Sequence, residues 1–163
     1  MKIRPCRPAE DAATIAEIYN YYIRETIISF EVDPVAADEM QTRIEEVAAE
    51  YPSYVAEKND GKVIGYACAK KWQTRCAYKN SVEFSIYLDV EQRRRGLGTQ
   101  LYEALIAESK HRGYHTAIGG VSMPNEASVR LHEKLGFKKV AHYSEVGRKF
   151  GKWIDVGYWQ LML

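Results

Sequence analysis

Cysteine is scarce: the 163 residues hold three, Cys6, Cys68 and Cys76. The number is odd, the spacing wide, and no CxxC pair occurs. The chain therefore offers neither a disulfide framework nor a zinc knuckle, and a reducing cytoplasm is the expected setting. A dominant charge sign is also lacking. Lys and Arg total 23 against 22 Asp and Glu, a net charge of +1, whereas general nucleic-acid binders and membrane-surface proteins carry a marked bias. No apolar run approaches the roughly 18 residues of a membrane span. Met1-Lys2-Ile3-Arg4-Pro5-Cys6 has no apolar signal-peptide core. Internal repeats, low-complexity tracts and Ser/Pro linkers are missing too. What is present is ordinary globular composition, 46% apolar and 28% charged. That suffices for a buried core in one domain, taken as residues 1–163, with no room for two full-sized ones.

Hydrophobic periodicity places the elements. Lys2 to Arg4 reads as a short strand, and Ile15, Ile18, Tyr19, Tyr22 and Ile23 form the stripe of a helix from about Asp11 to Ile23. Met40, Ile44, Val47 and Ala48 mark a second helix. Tyr54–Glu57 and Lys62–Ala69 are strands joined by the turn Asn59-Asp60-Gly61. In the strand Ser81–Leu88, Val82, Phe84, Ile86 and Leu88 point one way and Glu83, Ser85 and Tyr87 the other. A long helix follows from about Leu97 to Arg112, stopped by Gly113. A strand Thr116–Val121, a helix Asn125–Leu135 ended by Gly136, and strands Lys138–Val146 and Trp153–Leu163 complete the chain. Helices between strands predict at least one parallel crossover, and the hairpin requires antiparallel pairing. The sum is a mixed α/β sheet with helices on its faces.

The segment Arg93-Arg94-Arg95-Gly96-Leu97-Gly98-Thr99 lies directly between a strand and a long helix. Glycines there let several backbone N–H groups face one anion, the helix N-terminus adds its positive end, and the arginines supply charge for a phosphate-bearing ligand. A basic surface turn is the plain alternative. A P-loop would need Lys-Ser/Thr after the second glycine, and a Rossmann fingerprint a third glycine where Leu101 stands, so neither nucleotide motif applies. Glu83, on the strand before the loop, is either a solvated carboxylate or a general base whose pKa a partly buried cleft would raise. Asn125 is placed to cap its helix. His111 and His115 are separated by the helix stop Gly113, and no metal site is read from them.

From Arg93 to Gly98 the pattern [Q/R]-x-x-G-x-[G/A] resembles the pyrophosphate-binding loop of the GCN5-related N-acetyltransferases (GNAT), which bind acetyl-CoA. The resemblance implies a mixed, mostly antiparallel sheet flanked by helices. It implies that Arg93, Arg94, Arg95, Gly96, Leu97, Gly98 and Thr99 hold the cofactor's pyrophosphate. Ser85, Ile86 and Tyr87 would offer backbone groups to a pantetheine arm lying in a splay between two strands. Asn125 and Ser128 would also face the cofactor, and Glu83 would take the proton of the attacking amine. Many members have a tyrosine acid after the helix leucine. This chain has His132 there, either as that acid or as a packing residue.

Other segments narrow the likeness: Phe30-Glu31, Trp72-Gln73-Thr74-Arg75-Cys76-Ala77-Tyr78, Val82-Glu83-Phe84-Ser85-Ile86-Tyr87, Pro124-Asn125-Glu126-Ala127-Ser128-Val129 and Gly147-Arg148-Lys149-Phe150-Gly151-Lys152-Trp153-Ile154-Asp155-Val156. Together they resemble the phosphinothricin N-acetyltransferase group, which acetylates phosphinothricin or methionine sulfoximine and sulfone. Arg75 then offers a planar fork for a substrate carboxylate, with Phe30 and Tyr78 as walls. Trp72 either joins them or packs in the core. Gln73 departs from a position often basic in the group. The resemblance also implies a homodimer, to which the apolar C-terminal strand (Val156, Tyr158, Trp159, Leu161) would contribute unless it is buried within the subunit. The competing expectations are another acceptor, such as a polyamine or peptide N-terminus, and a non-catalytic acyl-CoA-binding module.

Overall fold

The computed structural model describes residues 1–92 and 96–163. Its elements are β1 (Lys2–Pro5), α1 (Pro8–Glu25), α2 (Ala37–Glu50), β2 (Ser53–Glu57), β3 (Val63–Lys71), β4 (Ser81–Leu88), α3 (Leu97–His111), β5 (Thr116–Met123), α4 (Glu126–Lys134), β6 (Lys138–Lys149) and β7 (Lys152–Met162). One sheet holds all seven strands in the order β1-β2-β3-β4-β5-β7-β6. Each neighbouring pair is antiparallel except β4 and β5, which run parallel because α3 carries the chain back across the sheet. This is the mixed, mostly antiparallel sheet expected from the sequence.

Helix α1 begins three residues earlier than its apolar stripe suggests. Pro8 fits the first turn, where no N–H is needed. The Asp11 carboxylate accepts the Arg7 N–H at 2.7 Å and two guanidinium N–H groups of Arg4 at 2.8 Å. Burial opposes the charge on Asp11, but these donors outweigh it and hold its pKa below the usual value. Arg4 also binds Glu57, so one ion network ties β1, α1 and β2 together.

Two apolar layers sandwich the sheet. On one face Leu97, Leu101, Tyr102 and Leu105 of α3 pack on Ala67, Val82, Phe84 and Trp159. On the other, Ile15, Ile18, Tyr22 and Ile23 of α1 and Met40 and Ile44 of α2 pack around Val55 and Tyr66. The alternation read along β4 thus feeds both layers, with Tyr87 packed against the α1 layer.

The C-terminal hairpin differs from the sequence reading. Strand β6 runs on to Lys149 because residues 144–146 leave the ladder as a bulge: Tyr143 pairs with Val156, and Gly147 with Ile154. At the bulge Glu145 adopts φ 51 and donates its N–H to Asp155 at 2.8 Å, while His142 Nε2 lies 2.8 Å from the other carboxylate oxygen. Strand β7 is interior, between β5 and β6. Val156 and Trp159 are buried in the subunit, and β6 is the edge, exposing Val140, Tyr143 and Val146. No helix among the described residues is long and apolar enough to cross a membrane.

Candidate active site

The parallel ladder between β4 and β5 runs from Ser81–Thr116 to Glu83–Ile118 and ends there. Beyond it β4 continues paired to β3, and β5 continues paired to β7. The two strands therefore part, and an open cleft forms between them. One bank is Phe84–Tyr87 of β4, the other Gly120–Ser122 of β5; Tyr102, Asn125, Ser128 and His132 of the helical layer complete the lining, and Ile28 reaches in from the loop after α1. Ser85, Ile86, Tyr87, Asn125, Ser128 and His132, singled out separately along the chain, thus meet in one place.

At the start of α3, Gly96 takes φ 73 as the residue before the helix, a left-handed conformation that glycine adopts without strain. Leu97 and Gly98 are buried. A Cβ on Gly98 would lie 3.1 Å from Leu131 and 3.5 Å from Ile86, so the helix start is seated closely against the cleft. The first turn of α3 has no acidic side chain, and Lys134 Nζ of α4 donates to Thr99 Oγ1 at 3.3 Å. A positive helix end with a lysine beside it suits an anion. Arg93, Arg94 and Arg95 lie outside the described residues.

Asn125 caps α4, its side-chain oxygen accepting the Ser128 N–H at 3.2 Å. His132 packs over Gly119 of β5, where any Cβ would overlap the imidazole. Its Nδ1 donates to the Ser128 carbonyl at 2.8 Å, which leaves the Nε2 lone pair toward the Tyr102 hydroxyl at 3.4 Å. Burial keeps the imidazole pKa below 6.5 despite the Ser128 bond, and the ring is neutral in this arrangement. Burial likewise raises the Tyr102 hydroxyl far above its ordinary value. Across the cleft, Ser122 is 6% exposed, and its Oγ has no hydrogen-bond partner among the described residues.

Glu83 stands where the ladder ends, half-buried, with Lys70 Nζ 3.4 Å from its carboxylate. Toward the other side of the sheet face, Tyr158 of β7 lies over Gly120, 3.2 Å from where a Cβ would be. Trp72 meets Tyr158 edge-on at 5.6 Å, and Tyr143 does so at 5.5 Å. Trp72 therefore belongs to an aromatic wall and not to either apolar layer. Arg75 precedes and Tyr78 ends a single 3-10 turn, Cys76–Tyr78, and both are exposed. Among the described residues the Arg75 guanidinium has no carboxylate partner.

Phe30 is placed by residues far away in sequence. Its ring presses on the Cα of Gly147 in β6. Two residues further, the buried Lys149 donates to the carbonyls of Ser29 at 2.6 Å and Tyr22 at 3.5 Å, and burial lowers its pKa. The same loop is held by Tyr19, whose hydroxyl donates to Glu31 at 2.7 Å, and by Arg43, which binds Glu31 at 2.8 and 3.0 Å. Sequence reasoning missed Lys149, Tyr102, Tyr158, Lys134 and Ser122. The adjacent glycines Gly119 and Gly120 were the one local signal that large rings approach β5 from both sides.

The residues present fit an acyl-pantetheine chain: two strand edges unpaired toward the cleft, an unpartnered buried hydroxyl, and a helix start free of acidic groups. Residues 15–137 match the family model described as Acetyltransferase (GNAT) family. The chain is 38% identical over 164 residues to the L-amino acid N-acyltransferase MnaT of Escherichia coli (strain K12), covering 100% of this chain and 94% of that protein. It is 36% identical over 160 residues to a phosphinothricin N-acetyltransferase of Streptomyces viridochromogenes, covering 98% and 86%. A phosphinothricin acetyltransferase from Sinorhizobium meliloti, solved in complex with AcCoA, superposes with a TM-score of 0.96 at 32% identity, covering 99% of this chain and 88% of that one. Strand splay, helix start and sequence agree, and the chain belongs to the acetyltransferase (GNAT) family.

Proposed function

We propose that the protein moves the acetyl group of acetyl-CoA to the α-amine of a small amino acid or analogue of the phosphinothricin, methionine sulfoximine or methionine sulfone type. The observation that carries this reading is the position of Glu83 at the last pair of the β4–β5 ladder, where the two strands begin to part. Amine acetylation needs a neutral nucleophile. Glu83 takes the ammonium proton, directly or through one water, and the freed lone pair attacks the thioester carbonyl in a ternary complex. The C–N bond forms as the C–S bond breaks. The departing thiolate has an ordinary thiol pKa of about 8.5 and needs no strong acid. On the thiolate side, His132 and Tyr102 form the one hydrogen-bonded pair of titratable groups lining the cleft among the described residues, and we assign them to pass to sulfur the second proton, which the attacking nitrogen sheds as the amide forms. Ser85–Tyr87, Asn125, Ser128 and the Arg93–Thr99 segment hold the cofactor.

Arg75 binds the substrate carboxylate, with Phe30, Tyr78 and Trp72 enclosing the remainder. We further infer one catalytic domain over residues 1–163. The free thiols of Cys6, Cys68 and Cys76 suit the cytoplasm. A homodimer would cover the exposed Tyr143, Val146, Phe150 and Trp153 of the β6–β7 hairpin.

The test is thiol release from acetyl-CoA with methionine sulfoximine, methionine sulfone and phosphinothricin beside spermidine and a short peptide. Turnover restricted to the amino-acid analogues is the expected result. Turnover only on spermidine or the peptide would remove the assigned acceptor class, and CoA binding without turnover would remove the catalytic role.

A further inference from the structure

Three buried side-chain oxygens among the described residues lack a hydrogen-bond partner: Gln92 Oε1, Ser109 Oγ and Ser122 Oγ. They differ in what they face. Ser109 is fully enclosed in α3 and is not part of the lining between β4 and β5. Ser122 is also nine-tenths buried, yet it lines the opening between β4 and β5. A hydroxyl kept from water with no acceptor costs stability, so a partner that arrives later is the economical explanation.

Geometry limits what that partner is. Ser122 is paired on one side only, to the apolar Val156 of β7, which offers its side chain nothing polar. On its other side the parallel ladder has already ended. Extending that register across the gap sets Gly120 opposite Ser85 and Ser122 opposite Tyr87 (two and four residues past the last pair). Ser122 is therefore on the far bank from the backbone of Ser85–Tyr87, with Asn125 and Ser128 in the same lining. Whatever lies along β4 in the manner of an added strand passes between these banks. An acyl-pantetheine arm carries carbonyl oxygens along its length, and a serine hydroxyl is a donor that can rotate to meet one.

We propose that Ser122 is a cofactor-binding residue whose hydroxyl donates a hydrogen bond to a carbonyl oxygen of the acyl-pantetheine arm. The proposal rests on the acetyl-CoA reading of the cleft. It adds the second bank, β5, to a site otherwise built from β4, the α3 start and α4.

The experiment compares Ser122→Ala with Ser109→Ala and wild type by calorimetric titration with CoA and with acetyl-CoA, and by thermal unfolding of each ligand-free protein. Ser122→Ala is expected to weaken both ligands by about three- to tenfold, the size of one neutral hydrogen bond. Its ligand-free Tm stays the same or rises, because an unpaired hydroxyl has been removed. Ser109→Ala leaves ligand affinity unchanged. Steady-state KM for acetyl-CoA should follow the binding data while KM for the amine holds. Unchanged CoA affinity in Ser122→Ala overturns the proposal, as does a rise confined to the amine KM. A ligand-free Tm lowered by several degrees also overturns it, since the hydroxyl then has its partner within the protein. Wild type that binds no CoA overturns the acetyl-CoA reading itself, a result separable from a loss seen only in the variant.

Discussion

The two sides of the assigned site are built from different materials. The side assigned to the cofactor is backbone and small residues: the free edge of Ser85–Tyr87, the left-handed Gly96, the tightly seated Gly98, and the capped start of α4. The side assigned to the amine is long side chains, with Phe30, Arg75 and Tyr78 all exposed. Backbone groups are the same in any sequence that reaches this fold, so they suit a ligand that does not vary. Exposed tips of Arg, Tyr and Phe can be exchanged without disturbing the core, so they suit a ligand that differs from one enzyme to the next. One molecule thus keeps a fixed half and an adjustable half.

The strongest way to break this division is at Glu83. Glu83→Gln should lower kcat by about a hundredfold or more with CoA affinity intact, read by thiol release and titration. Arg75→Ala should raise the amino-acid KM by roughly tenfold to a hundredfold, the weight of a charged hydrogen bond, with kcat and the acetyl-CoA KM little changed. On the fixed side, effects should appear first as stability. Gly119→Ala forces a Cβ into His132 and should cost about 1–3 kcal/mol in denaturant unfolding. Asn125→Ala removes the α4 cap and should cost about 1 kcal/mol by the same measurement.

The smallest effect is a pH difference. The folded chain holds His132 below its unfolded pKa of 6.5. At falling pH the unfolded chain binds that proton first, so this contribution is complete above about pH 6.5 and is lost as pH drops through the folded pKa. His132→Gln should therefore show a shallower decline in urea midpoint from pH 7 to pH 5 than wild type. Equal slopes would place the acid sensitivity in other groups.

The fixed half is also the half that the sequence reveals. Alternation along Ser81–Leu88 and the glycine-flanked helix start are local patterns, and Asn125 announces its own cap, so the cleft-forming elements are legible from neighbours in the chain. The adjustable half is assembled from residues brought together by the sheet. Nothing near Lys149 indicates that its ammonium meets the Ser29 carbonyl 120 residues away. The same holds for Trp72, whose two readings are separated only by the Tyr158 ring beside it. The C-terminal strand shows the limit from another direction. Its apolar content predicts burial or an interface equally, and only the strand order, with β7 inside β6, places Val156 and Trp159 in the core.

That strand order has a consequence for how the molecule is made. Strand β6 joins the sheet only through β7, yet a ribosome delivers β6 first. A nascent chain that has emerged as far as Gly151 holds β5 with one flank unpaired and β6 with nowhere to attach. Such bare strand edges are templates for pairing with a neighbouring chain. Translation must also reach Lys149 before its ammonium can add the Ser29 carbonyl contact to the Tyr19 and Arg43 bonds that hold the loop around Phe30. The loop around Phe30 is therefore completed only late in synthesis, and until β7 arrives the nascent chain keeps strand edges open to others of its kind.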